Sequence, residues 1–147
     1  MPSVKVTCID LWSWEHGTRY VGDHYLTTYG NRDCQYSKET CAVNLAQFGT
    51  RIELIQASSP YFHESFTERN VDLLFLDGDH AGSTVKKELK LYYNVLSQGG
   101  TMVLDDYQHE KHAEMTREIH NFVLSYGLDL KILKQPNNDS HLAVIEK

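Results

Sequence analysis

Val71-Asp72-Leu73-Leu74-Phe75-Leu76-Asp77-Gly78-Asp79-His80 is an apolar run that ends in spaced acids, and Gly99-Gly100-Thr101-Met102-Val103-Leu104-Asp105-Asp106-Tyr107 repeats the pattern one helix later. Short apolar runs bounded by Gly and Asp read as buried strands, and two of them separated by a helical period define a β-α-β unit.

Working outward, the same alternation continues in both directions. Val4 to Ile9 is β-branched and closes on Asp10, and Arg51 to Gln56 alternates as a second strand. Between them Ser37 is a candidate N-cap for a helix marked by Cys41, Leu45 and Phe48 and stopped by Gly49. Pro60 to Glu68 has room for only a short helix. Val85, Leu89, Tyr92 and Leu96 mark one face of a helix that Gly99-Gly100 breaks, and Met115, Ile119, Phe122, Val123 and Tyr126 mark another that Gly127 ends. Leu130 to Leu133 and His141 to Ile145 flank Pro136-Asn137-Asn138-Asp139, the signature of an antiparallel hairpin. Strands separated by helices predict a single α/β domain over residues 1–147, with a mostly parallel sheet covered on both faces.

At 147 residues and 41% hydrophobic content the chain can bury one core. Its net charge of -6 argues against a nucleic-acid partner, which needs a basic surface to displace counterions. Cys8, Cys34 and Cys41 match no metal spacing and read as free thiols in a reducing compartment. No apolar stretch approaches the roughly 20 residues that span a bilayer, and Met1-Pro2-Ser3 opens no signal pattern. A cytoplasmic protein without a membrane partner is expected.

In open α/β sheets ligands bind beyond the carboxyl ends of the strands, where Asp10, Ser58, Asp77, Asp79, Asp105 and Asp106 emerge. Carboxylates gathered within about 5 Å repel by about 3 kcal/mol per pair at an effective dielectric near 20. A divalent cation with oxygen ligands relieves that repulsion, and so does a shared proton. Acids at strand ends also serve simply to cap the helices that follow. Neighbours in a regular strand face opposite ways, so Asp105 and Asp106 can share a cation only if the strand has already turned.

These residues resemble the class I S-adenosylmethionine-dependent methyltransferases, and among them the group whose fourth strand ends in an Asp-Gly-Asp-His motif, here Asp77-Gly78-Asp79-His80. Leu96 to Tyr107 looks like that group's passage into its fifth strand, and Cys8-Ile9-Asp10-Leu11-Trp12 looks like the end of its second. The resemblance implies a Rossmann-like three-layer sandwich and a metal-assisted O-methyltransferase similar to the macrocin-type sugar enzymes, acting on a small hydroxylated acceptor. It further implies magnesium ligands at Asp77, Asp105 and Asp106, and a general base at Asp79 or His80. S-adenosylmethionine would be held by Asp10 and Leu11 at the ribose and by Ala57 and Ser58 at the adenine.

The family's first strand and glycine-rich loop should precede Val4, where only Met1, Pro2 and Ser3 stand. The expectation is therefore six strands ordered 3-2-4-5-7-6 in family labels, with a fragment or a homo-oligomer that lends a strand as the alternatives. A non-catalytic binding or assembly module of the same fold is the competing function, and magnesium-dependent hydrolysis a third. The aromatic run from Trp12 to Tyr36 suits either a substrate lid or packing. His109, Glu110 and His112 read as a solvated first turn of a helix more readily than as a metal pair.

Overall fold

The computed structural model describes residues 4–12, 38–62, 70–135 and 139–147. Ser37, Cys34 and most of the aromatic run lie outside these residues. Two compact units divide the chain, residues 1–61 and 62–147.

In the first unit, β1 (Val6–Asp10) pairs in parallel with β2 (Ile52–Gln56), Val6 opposite Ile52 and Asp10 opposite Gln56. Between them come α1 (Lys38–Leu45) and a 3-10 segment over Ala46–Arg51, so the α-helix ends four residues before Gly49, which at φ 57° and ψ -135° kinks the 3-10 segment rather than stopping the helix. A single turn of helix, α2 (Ser59–Phe62), follows β2. Cys8 and Cys41 are free thiols, and burial, with the neighbouring Cys41, pushes the Cys8 pKa up.

The second unit carries β3 (Val71–Leu76), α3 (Gly82–Val95), β4 (Leu96–Tyr107), α4 (Ala113–Tyr126), β5 (Leu130–Lys134) and β6 (His141–Glu146). Its sheet runs β3-β4-β6-β5, with β3 and β4 parallel and β6 antiparallel to both neighbours. The six expected strands are present with the expected order inside each sheet, and β5 and β6 pair as the expected antiparallel hairpin, whose turn residues Pro136-Asn137-Asn138 lie outside the described residues.

The core lies where helical and strand periods meet. Val85, Leu89 and Tyr92 from α3 and Met115, Ile119, Phe122 and Val123 from α4 pack on Met102, Leu104, Ala143 and Ile145, which alternate along β4 and β6. Within this unit both helices therefore cover one sheet face, and Leu73 and Phe75 on the other side of β3 stay 66% and 56% exposed. Gly82 permits the helices to approach, since a Cβ there would lie 3.1 Å from the Glu114 Cβ.

One boundary differs from the sequence expectation. Helix α3 ends at Val95, and Gly99-Gly100 sits inside β4 as a bulge, Val71 facing Leu96 and Leu73 facing Thr101. Gly99 has φ 77°, and a Cβ on Gly100 would fall 3.0 Å from the carbonyl oxygens of Ser97 and Val71. Lys147 closes the open end of α3 by donating from Nζ to the Tyr93 and Leu96 carbonyls, each at 2.9 Å. Among the described residues no helix is long and apolar enough to cross a membrane.

Leu89 is fully buried, whereas Leu124 on α4 is 79% exposed. Leu89→Ala is expected to cost about 2–5 kcal/mol in urea unfolding and Leu124→Ala less than about 0.5 kcal/mol. Equal losses would show that the α3–α4–sheet interface is not the core.

Candidate functional site

Strand β3 delivers Asp77 at its carboxyl end, and the chain then passes through Gly78 to Asp79 and His80 before α3 begins. Asp79 faces that helix. One of its carboxylate oxygens accepts the Ala81 N–H at 3.1 Å and the other the Thr84 hydroxyl at 2.7 Å, so it satisfies donors of the first turn.

The parallel neighbour β4 ends differently. Its ladder with β6 shifts register between Leu104 and Tyr107, and Asp106 takes the left-handed conformation at φ 52°. This is the turn that the Asp105-Asp106 pair required. Asp105 Oδ1 accepts the Asp106 N–H at 2.8 Å and the Gln135 side-chain amide at 3.2 Å. Tyr107 is buried to 1% exposure and its hydroxyl bonds to His120 Nε2 on α4, which anchors the turned segment to the core. Gln108, also left-handed at φ 62°, donates its N–H to the Thr116 hydroxyl, and a 3-10 turn over Glu110–His112 leads into α4.

These two strand ends bring His80 and Asp106 together, with His80 Nε2 3.2 Å from Asp106 Oδ2. The contact is close enough for an ion pair but is not aligned as a hydrogen bond, and Nε2 is buried without a hydrogen-bond partner. The His112 ring stacks on His80 with centroids 4.1 Å apart, and His109 lies 4.8 Å from His112 on the centroid measure. Ligand atoms of His80, Asp106 and His112 all fall within 4.8 Å of one another. Sequence reasoning set His112 on a solvated turn; the fold half-buries it against His80 instead. Only its three-residue spacing from His109 hinted at a cluster.

Asp77 completes the charge pattern. Burial, and then the carboxylates of Asp105 and Asp106, raise its pKa above the ordinary 3.8, while His80 acts in the opposite direction. Among the described residues Asp77 and Asp105 do not join the convergent set, although the three acids interact through their charge. Burial, then His80 and His109, lower the pKa of His112 below its ordinary value, while Asp106 acts in the opposite direction. A cation suits this rim, because acids whose ionisation is opposed by their neighbours gain from a positive charge between them.

The first unit has its own strand-end group. The Ala57 N–H donates to the Asp10 carbonyl at 2.9 Å and the Gln56 side chain to the Leu11 carbonyl at 2.8 Å. Asp10, Leu11, Ala57 and Ser58 thus stand at the same end of the β1–β2 pair, as their sequence positions implied. Asp10 is exposed and accepts the Trp12 N–H at 2.8 Å, where Trp12 at φ 38° turns the chain out of the strand.

A family model described as "Methyltransferase domain" matches residues 3–107. Among solved structures, a protein of Corynebacterium glutamicum superposes with a TM-score of 0.65 at 15% identity, over 97% of this chain and 60% of that one. The O-methyltransferase NovP gives a TM-score of 0.62 at 13% identity, over 97% of this chain and 60% of its own. SMU.1697c of Streptococcus mutans, solved in complex with SAH, gives 0.60 at 16% identity, over 98% and 90%. Protein R132 of Acanthamoeba polyphaga mimivirus, whose function is uncharacterised, is 47% identical over 38 residues, which are 26% of this chain and 17% of that protein. The chain spans about three fifths of the C. glutamicum and NovP chains and a smaller share of the viral protein. The fold is the Rossmann-like three-layer α/β methyltransferase fold with a largely parallel core sheet and a C-terminal antiparallel hairpin.

The raised pKa of Asp77 means that the folded chain favours its protonated form, so stability falls as pH rises from 3.8 through the raised value. Asp77→Asn removes that cost. Its urea midpoint is expected above the wild type's at pH 7 without divalent ions, the gap closing as pH falls toward 3.8. A lower midpoint at pH 7 would mean that the Asp77 charge stabilises the rim.

Proposed function

The chain belongs to the methyltransferase-domain family, and on that premise we propose that it transfers a methyl group from S-adenosylmethionine to a hydroxyl of a small acceptor, with a divalent cation at the acidic rim. The approach of His80 to Asp106, across the ends of two parallel strands, is the observation that carries this reading. Both NovP, an O-methyltransferase, and SMU.1697c, solved with SAH, share the fold.

Asp10 has an exposed carboxylate suited to the ribose hydroxyls of the donor, with Leu11 beside it, and Ala57 and Ser58 would meet the adenine. Asp77, Asp105 and Asp106 would hold magnesium, a hard cation that takes carboxylate oxygens. Bound there, it would lower the pKa of the acceptor hydroxyl and orient it.

His80 is the better base of the two motif candidates, because both Asp79 oxygens are occupied by the first turn of α3. As the acceptor oxygen bonds to the methyl carbon, the carbon–sulfur bond breaks, its electron pair stays on sulfur, and His80 takes the hydroxyl proton. Asp106 then faces the imidazolium that results. Most of the remaining barrier is lowered by alignment, since the sulfonium is already a good leaving group.

Calorimetry with S-adenosylmethionine tests the cofactor side. Saturable binding is expected, weakened about 10- to 100-fold in Asp10→Ala, as the loss of a charge-assisted hydrogen bond of about 1.5–3 kcal/mol requires. His80→Gln should lower kcat by roughly 10²–10⁴-fold while leaving donor affinity unchanged. Donor binding in neither wild type nor variant would favour a non-catalytic module of the same fold.

A further inference from the structure

We infer that His80, Asp106 and His112 form a binding site for a zinc-class divalent ion, one that shares Asp106 with the all-oxygen set Asp77, Asp105 and Asp106 but adds two imidazoles. Two imidazole nitrogens and one carboxylate oxygen from these residues lie within 4.8 Å of one another. Imidazole suits zinc, cobalt, nickel and copper, whereas magnesium prefers oxygen and keeps its waters. The donor set therefore selects a different ion from the one the acids select.

Three further observations favour a ligand at this point. His80 Nε2 is buried and has no aligned hydrogen-bond partner, although Asp106 Oδ2 lies 3.2 Å away. A buried nitrogen left without a hydrogen bond costs free energy that a metal bond would recover. The rings of His80 and His112 stack at 4.1 Å with 28° between their planes, which holds the two imidazoles side by side. His112 stands at the junction of the 3-10 turn and α4, and Asp106 on the left-handed turn, so the ligands come from three separate segments whose ends the core fixes.

The geometry requires a small closure. Ligand atoms about 2.0–2.2 Å from a tetrahedral zinc lie about 3.3–3.5 Å apart. The 4.8 Å envelope has to contract by about 1.3–1.5 Å, and the stacked rings have to turn so that each aims a nitrogen at the ion. Three protein ligands leave the fourth position to water, the pattern of an open site.

The consequence rests on the methyl-transfer reading. An ion bound to His80 Nε2 occupies the lone pair that would accept the acceptor proton, and it engages Asp106 as well. Occupancy by a zinc-class ion and proton transfer at His80 then exclude one another, which makes the site an inhibitory one.

Co2+ titration of the chelator-stripped full chain, without donor or acceptor, tests the site directly. Expected are a visible ligand-field band saturating at one ion per chain, its loss on adding Zn2+, and its persistence in millimolar Mg2+. His112→Ala and His112→Gln should weaken Co2+ binding at least tenfold, and His109→Ala less than about twofold, with circular dichroism confirming that each variant is folded. Absence of the band, or equal affinity in folded His112 variants, would overturn the site. Because no methyl donor is present, Co2+ binding without S-adenosylmethionine binding would remove the methyl-transfer reading alone. S-adenosylmethionine binding without Co2+ binding would remove the metal site alone.

Discussion

The rim is organised by a backbone reversal at Asp106. A strand continued past Leu104 would send Asp105 and Asp106 to opposite faces. The left-handed conformation at φ 52° instead swings Asp106 toward His80. For a residue with a Cβ that conformation costs about 1–2 kcal/mol, least for Asp and Asn. The surroundings hold it: Tyr107 is buried and bonded to His120, Gln108 donates to Thr116, and the Asp106 carbonyl accepts the His109 N–H at 3.2 Å. The same reversal sets the path of the 3-10 turn, and so delivers His112 to His80.

Around that reversal the electrostatics are poised rather than settled. Burial and the Asp105 and Asp106 charges oppose ionisation of Asp77, while Asp106 faces an imidazole on its other side. Asp106 therefore lies between carboxylates with which it interacts through charge and the imidazole nitrogens of His80 and His112. Hard and borderline cations differ in which of these they prefer. Asp79 takes no part in either set, because its two oxygens are committed to Ala81 and Thr84.

Much of this was readable before folding, and the misses have physical causes. Apolar runs ending in acids located β3 and β4, and helical spacing of Leu89, Ile119 and Phe122 identified the residues that are now core. The cap role of Asp79 also had a sequence signal, an acid shortly ahead of a helix. The place of His112 had none beyond a local histidine pair, since His80 precedes it by 32 residues in the chain. Periodicity does not tell which face of β3 a given helix covers; within the second unit α3 and α4 pack on the same face, and Leu73 and Phe75 stand on the other.

By itself the sequence determined the class of elements, their order and the strand ends at which acids and His80 emerge, because period, turn chemistry and apolar content act over a few residues at a time. It also placed Asp10 and Ala57 at one end of a parallel pair, since parallel strands carry their carboxyl ends in the same direction. Tertiary structure alone decided that Asp106 turns back, that His112 joins it and His80, and that Asp79 is used up as a cap. Those outcomes depend on distances between segments remote in sequence, which are set by how Tyr107, Met115 and Ile119 fill one core and by no local pattern of residues.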